Sequence, residues 1–466
     1  MATTELPPSA VELQTLAPLP APDLAPAPVD TAAAGASGRS MSVLRLPFEL
    51  RGDSTRAVVL SWLASRAIAL ALLVTPESSV VGDVPYYARS MRLMFHGTSI
   101  HQTLQEYPLP VLAIMLPQYL MAAMNPLGFA ILFVVSMLAV DAVFTFFLWR
   151  VGGRRRNEAV RFWLWFVPAI GPMAYFRFDL IPAMLAGAAV LAAARRPAWS
   201  GALTAIGAAL KLWPALMLPS FLLRRLDRRP VLKGFFLTGA LIAVAAFAIG
   251  GWERMLSPLH WQGGRGLQIE SVTATPLMLA WAIHPRSPWD IRVSNYKAYE
   301  IFGPGVHTAV TISTALTALG LGILGWLWYR ARMLPSVSAE TVAWLFLATA
   351  AMVTITNKTL SPQYILWLGG PLAALLARWP QDPEVRKAAR TLLIICVLTQ
   401  AVFPLTYNHI VRADHLSIVA MLVLTLRNVL LIRLTWIACS RVLHQTGQDD
   451  TPEEPAPRAA VADRVG

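Results

Sequence analysis

Apolar residues fall in long, charge-poor runs along this chain, at about 57–74, 108–124, 128–149, 160–175, 180–194, 201–223, 232–250, 305–329, 340–356, 361–377, 390–405 and 414–436. A helix crosses the hydrocarbon layer in roughly 20 residues, with 17–25 normal, so most of these runs predict transmembrane helices. Proline and arginine positions decide the shorter ones. Pro108, Pro110, Pro117 and Pro126 interrupt the second run, which predicts an interfacial or half-inserted helix. Arg195 and Arg196 precede 201–223, while Arg224, Arg225, Arg228 and Arg229 follow it. A re-entrant pair of half-helices, turning near Lys211-Leu212-Trp213-Pro214, keeps both clusters on one side.

Orientation follows from the basic residues, which favour the cytoplasmic side. Arg39, Arg45, Arg51 and Arg56 precede the first run and place the N-terminus inside. Arg150, Arg154, Arg155 and Arg156 then also fall inside, as do the connections at 195–196, 224–233, 330–332, 378–390 and 433–441. The expectation is an all-α polytopic bundle of about ten full spans plus one re-entrant hairpin, in the plasma membrane, with both termini cytoplasmic. Residues 51–440 form its membrane domain. Residues 1–50 are rich in Pro, Ala, Ser and Thr and read as a disordered tail rather than a signal peptide, and 441–466 read as a second tail.

Composition narrows the class. The chain of 466 residues is 56% apolar and 14% charged, with a mean hydropathy of +0.53, which excludes a soluble enzyme and a disulfide scaffold. A net charge of +13 would suggest nucleic acid in a soluble protein. Here most of the excess maps to cytoplasmic connections, so no nucleic-acid partner is expected. Cys396 and Cys439 both fall in apolar stretches and read as packing thiols. No internal repeat stands out, which weakens the case for an inverted-repeat transporter.

Two outer loops, 75–107 and 251–304, are long enough to be the working surface. The first holds Asp83, Tyr86, Tyr87 and Arg89, then His96, His101 and Glu106-Tyr107-Pro108-Leu109-Pro110. It reads either as an aromatic belt with a solvated acid or as a reactive carboxylate at the membrane surface. The second holds Gly263-Gly264-Arg265-Gly266-Leu267-Gln268-Ile269-Glu270-Ser271. This is either a flexible turn or a glycine-rich approach to an anion, with Arg265 as a fixed charge. Within or beside apolar runs lie Arg177, Asp179, Lys211, Asn357, Lys358, Gln363 and Tyr364. Ionisable residues at membrane depth are costly and default to a functional role. The other readings are a structural Arg177–Asp179 pair and a snorkelling Lys211. No metal is expected: the outer loops have no Asp-x-Asp, and their histidines form no ligand pair.

Several of these segments together resemble glycosyltransferase family 87, polytopic enzymes of the GT-C type. Asp83 followed by Tyr87 resembles the first-loop Asp-x-x-x-Tyr of that family, and Glu106-Tyr107-Pro108-Leu109-Pro110 its Tyr-Pro-Pro. Phe178-Asp179, Ala209-Leu210-Lys211-Leu212-Trp213-Pro214 and Leu360-Ser361-Pro362-Gln363-Tyr364 resemble its Phe-Asp pair, its Lys-x-x-Pro turn and its late Leu-Ser-Pro. The chain departs in two places. The family's phosphatidylinositol mannoside enzyme has a His-His pair where this chain reads Gln363-Tyr364, and Leu109 displaces the second proline.

The resemblance implies an inverting, metal-independent sugar transfer at the outer face, without a cofactor. The donor is a polyprenyl-phosphate sugar, with mannose the commonest, and the acceptor a glycolipid or glycan. It implies Asp83 as general base; by charge and outer position Lys211, then Arg177 and Arg265, read as donor-phosphate ligands, with Lys358 and Arg89 as further outer cations. Sugar and acceptor binding then fall to Tyr86, Tyr87, Glu106, Tyr107, Asp179, Gln268, Glu270, Gln363 and Tyr364, with Trp261 stacking on a sugar face. The competing expectation is a carrier or flippase for a lipid-linked sugar, which needs the same basic cavity but no base.

Overall fold

The computed structural model describes residues 55–74, 78–152, 158–284 and 288–447. The tail at 1–50 and Arg154, Arg155 and Arg156 lie outside these residues. The first half of the fold comprises α1 (Thr55–Ala71), α2 (Asp83–Phe95), α3 (Pro110–Met121), α4 (Pro126–Gly152), α5 (Glu158–Ile170), α6 (Leu180–Ala193), α7 (Pro197–Leu210), the short α8 (Leu218–Phe221) and α9 (Arg228–Gly264). Helix α10 (Thr275–Ile283) and a hairpin of β1 (Asp290–Val293) and β2 (Tyr299–Phe302) come next. Then follow α11 (Val306–Met333), α12 (Ala339–Thr356), α13 (Leu366–Arg378), α14 (Pro383–Gln400), α15 (Tyr407–Arg412) and α16 (Ser417–Gly447). The last helix runs past Arg441, where the sequence predicts a tail; residues 448–466 lie outside the described set.

This is an all-α polytopic membrane protein, with a small hairpin that the apolar pattern alone does not predict. Among the described residues, six helical stretches are long and apolar enough to cross a membrane: α4, α9, α11, α12, Pro383–Arg412 and α16. Four other predicted spans are the shorter helices α1, α5, α6 and α13, of 17, 13, 14 and 13 residues. Three of these are cut short at one end of the bundle. Helix α5 ends at Gly171, whose φ of 77° suits glycine; α6 starts after Asp179, and α13 starts after the turn at Pro362. Helix α3, at 12 residues, is likewise too short to cross alone.

Small residues set the packing, as they do where helices must approach closely in lipid. A Cβ at Gly370 would overlap the Ala183 carbonyl, and one at Gly187 would overlap Gly370, so α6 and α13 lie backbone against backbone; they run parallel, since Trp367 meets Asp179 and Arg378 meets Leu191. Helices α6 and α7 are antiparallel: Ser200 Oγ donates to Ala189 O at 2.8 Å, and Gly207 lies beside Leu185. Gly201 meets Val231, Gly234 meets Ala198 and Gly239 meets Ala205, so α7 and α9 run parallel and start at the same level. The chain must therefore return from the end of α7 before α9 begins. It does so through a 3-10 turn at Trp213–Met217 and α8, which gives the hairpin geometry expected around Lys211.

Helix α12 is central, with Trp344, Leu345, Phe346 and Leu347 fully buried. By contrast α9 presents Phe236, Leu237, Leu241 and Val244 outward, a lipid-facing stripe. Gly251, at φ 60° and ψ −173°, breaks α9 and redirects its second half, Trp252–Gly264. That conformation is essentially restricted to glycine. Buried Arg254 on this segment donates to the carbonyls of Ile100, Thr103, Leu104 and Tyr107 at 3.0–3.2 Å. The long second loop is thus folded. Residues 267–269 pair with β2 (Ile269 N to Tyr299 O, Ile301 N to Leu267 O), and a small core of Leu267, Ile269, Met278, Ile301, Ile410 and Met421 holds it.

Candidate functional site

The N-terminal ends of α2, α6 and α13, the C-terminal end of α7 and the folded second loop converge on one open cavity of about 460 Å³. Its lining includes Asp83, Tyr86, Glu106, Tyr107, Arg177, Lys211, Trp261, Arg265, Gln268, Gln363 and Tyr364. Residues up to 281 positions apart in the sequence-predicted set therefore share one surface, from Asp83 to Tyr364.

Asp83 opens α2, where the helix dipole favours a carboxylate. Its Oδ2 lies 2.8 Å from Arg177 Nε, an ion pair rather than a well-directed hydrogen bond. Arg177 is held in turn by Nη1 donating to Val80 O at 2.9 Å and Phe176 O at 3.0 Å. Behind the acid, the Tyr87 hydroxyl donates to Asp83 Oδ2 at 3.4 Å and meets the Tyr107 hydroxyl at 3.4 Å. Tyr87 is fully buried and supports the cavity wall from behind instead of lining it. Burial pushes both the Tyr87 and Tyr107 phenols well above the ordinary tyrosine range, so they remain hydrogen-bond donors.

A second cluster stands beside this one. The Tyr86 hydroxyl donates to Glu106 Oε1 at 2.5 Å, and Lys297 Nζ donates to the same hydroxyl. Lys297 lies 3.9 Å from Glu106 and 3.7 Å from the centre of the Tyr86 ring. It projects from the β1–β2 turn with a left-handed φ of 58°, uncommon for a side-chain-bearing residue. Burial is the largest influence on its ammonium and lowers its pKa below the lysine value, against the opposing pull of Glu106 and Asp83.

Deeper in, Lys211 caps the end of α7 and meets Asp179, which precedes α6, at 2.5 Å. Trp367 Nε1 donates to the same carboxylate oxygen at 2.8 Å. Four rings surround the ammonium: Tyr107, Phe178, Tyr364 and Trp367, with centres 5.2–5.9 Å away. Tyr364 stacks on Trp367 at 4.0 Å. Asp179 itself is buried below the lining.

These contacts revise the reading of the cations. The sequence presents Arg177 and Lys211 as free charges and suggests pairing with Asp179 only for Arg177. Instead Arg177 pairs with Asp83 and Lys211 with Asp179, because a charge at this depth needs a counter-charge. Among the described residues no carboxylate forms a salt bridge with Arg265, whose buried Nε also has no hydrogen-bond partner. Lys358 donates to Gly263 O at 3.1 Å, two residues before Arg265 in the chain.

Glu270 is not brought to the cavity. It is fully buried against Arg427, at 2.6 Å, and its carbonyl accepts from Arg427 Nη2 at 2.8 Å and from Asn428 Nδ2 at 3.3 Å. A turn explains the difference: Ser271 N donates back to Gln268 O at 3.0 Å, so the chain reverses after Gln268 and carries Glu270 into the second core.

Lining residues that sequence reasoning did not single out as binding groups include Tyr296, Lys297, Tyr299, Phe403 and Tyr407. Lys297 carried one available signal, as one of five lysines in the chain. The aromatic residues carried none, because their neighbourhood depends on the loop fold. The described residues contain no group of three or more His, Cys, Asp or Glu side chains arranged to hold a metal ion.

Residues 106–362 match the family model of glycosyltransferase family 87. Asp83 and Tyr86 lie ahead of the matched region, yet they contact residues within it, Arg177 and Glu106. No curated protein matches the chain.

Proposed function

The chain belongs to glycosyltransferase family 87 and is a membrane glycosyltransferase, and from that premise we propose that it moves a sugar from a polyprenyl-phosphate donor to a glycolipid or glycan acceptor. Mannose is the proposed sugar, and the outer face of the plasma membrane the proposed site of transfer. Asp83 is the general base. The observation that carries this is the position of Asp83: an acid on the wall of an open cavity, aimed by Arg177 at 2.8 Å and backed by the Tyr87 hydroxyl.

The step is a single displacement. An acceptor hydroxyl oxygen attacks the anomeric carbon from the side opposite the phosphate, and its proton passes to Asp83. The bond from the anomeric carbon to the phosphate oxygen breaks, and that oxygen keeps the electron pair, so the anomeric configuration inverts. The leaving group is already a phosphate anion, so donors to its oxygens matter more than an acid. Arg265 is the cation best suited to that work, having no carboxylate partner among the described residues. Arg177 and Lys211 are already paired, and they contribute oriented N–H donors in a water-poor wall. Tyr86, Trp261 and Tyr364 offer aromatic faces for sugar rings, with Glu106, Gln268 and Gln363 as hydrogen-bonding groups around them.

The test uses the purified protein in lipid with labelled polyprenyl-phosphate-mannose and a panel of glycolipid acceptors. Formation of a glycolipid one hexose heavier, abolished by Asp83→Asn, supports the reading. Movement of the labelled donor across the bilayer that persists in Asp83→Asn without any product would replace it with a lipid-sugar carrier.

A further inference from the structure

The end of the bundle remote from the large cavity holds a second, smaller one. It encloses about 220 Å³ between the C-terminal ends of α6 and α13, the short α8, and the N-terminal ends of α9 and α12. Helices α6 and α13 both begin at the Asp179–Trp367 contact and end here. The 14 residues of α6, at about 1.5 Å each, put roughly 20 Å between the two cavities.

The throat of this cavity is apolar, with Val190, Phe221, Val231 and Val342 on its walls. Its mouth is cationic. Arg378 is partly buried in the wall, with Nη2 donating to Leu191 O at 2.9 Å, and the charge of Arg195 acts on it. Arg224 also lines the mouth but is paired with Asp227 at 2.8 Å. Asp227 is the one acid among the basic residues of 224–233. Among the described residues no carboxylate pairs with Arg378. Trp199 and Leu226 stand nearby in sequence with 59% and 93% of their surface exposed, as expected where a protein meets the lipid interface.

A cluster that served only to orient the bundle would extend into water. Here one guanidinium is folded back onto the wall of an apolar cavity, beside a second positive charge. An anion with an apolar extension satisfies both halves, whereas a bare anion gains nothing from the throat. Basic pockets between membrane helices suit anionic lipid head groups for this reason. We propose that this cavity binds an anionic phospholipid, with its phosphate on Arg378 and Arg195 and an acyl chain against Phe221 and Val342.

The experiment measures lipid binding to the purified full-length protein by native mass spectrometry in a neutral detergent, alongside the thermal midpoint. Phosphatidylglycerol is expected to bind and raise the midpoint. Phosphatidylcholine and inorganic phosphate at the same concentration should do neither. Arg378→Gln should weaken phosphatidylglycerol binding about five-fold, the usual effect of one basic group near a lipid surface, while Arg378→Lys retains most of it. Val342→Trp fills the throat and should reduce binding with every charge in place. An equal response to phosphatidylcholine would overturn the proposal, as would full competition by inorganic phosphate. So would unchanged affinity in Arg378→Gln; if Val342→Trp does not fold, that variant alone decides.

Discussion

Asp83 stands between a guanidinium that fixes its direction and a phenol that supports its second flank. Asparagine keeps the shape and the helix-start position but accepts no proton. Asp83→Asn is therefore expected to lower kcat by about 10²–10⁴-fold, the range for general-base help, with some fall in thermal midpoint because buried Arg177 loses its counter-charge. Initial rates with labelled donor check this, and a near-parent rate would move the base elsewhere. Lys297 gives the pH dependence. Burial lowers its pKa, so the ammonium that donates to Tyr86 loses its proton below the ordinary lysine value. The sign for stability is opposite to that for binding. With the folded pKa depressed, the unfolded chain binds more protons between the two values, so this group's contribution to stability rises with pH there. An alkaline rise in KM without a fall in thermal midpoint is the expected signature. Lys297→Arg should move that rise to higher pH. A KM profile identical in the parent and Lys297→Arg would remove Lys297 from the site.

At the scale of elements, the cavity depends on where helices stop. Asp179, Lys211 and Trp367 meet because α6 and α13 begin, and α7 ends, at one level. The sequence showed much of this: Pro214 and Pro362 mark the turns, and the arginine clusters around 201–223 call for a hairpin. It did not show which acid each cation would take, because Arg177 finds Asp83 across 94 positions and Lys211 finds Asp179 across 32. Nor did apolar periodicity reveal the hairpin bearing Lys297, whose four-residue strands are shorter than the runs that define spans. The break at Gly251 falls where the apolar run 232–250 gives way to the outer loop 251–304. Gly251→Ala places a side chain at φ 60°, ψ −173°, at a cost of about 1–3 kcal/mol. Relief of that strain would swing Trp261 and Arg265 away from the cavity. The expected result is a higher KM for the donor with the bundle still folded, read from donor titrations and from circular dichroism. Unchanged KM would show that the second half of α9 does not position the donor site.

At the scale of the whole molecule, the cavity has two walls of different origin. One is made of helix ends in the bundle, and the other is the folded second loop, tied to the bundle by buried polar contacts. The deepest is Glu270 with Arg427, both fully buried at 2.6 Å and 157 positions apart. Asn428 joins them through the Glu270 carbonyl and Thr275, at 3.3 and 2.8 Å. The pair fastens the segment that also carries Arg265 and Gln268. Removing one partner leaves a buried charge without its counter-charge, which costs about 3–5 kcal/mol. Glu270→Leu and Arg427→Met should each lower the thermal midpoint and raise the donor KM, since the loop wall loosens. Replacing both, Glu270→Leu with Arg427→Met, removes the uncompensated charge, and buried pairs exchanged for apolar residues are often neutral. The double variant should therefore recover most of the lost stability. If Glu270 instead touched the sugar or its acceptor, the double variant would regain stability without regaining donor KM. A double-mutant cycle read in both quantities separates a clamp, which restores the two together, from a binding residue, which restores only the first.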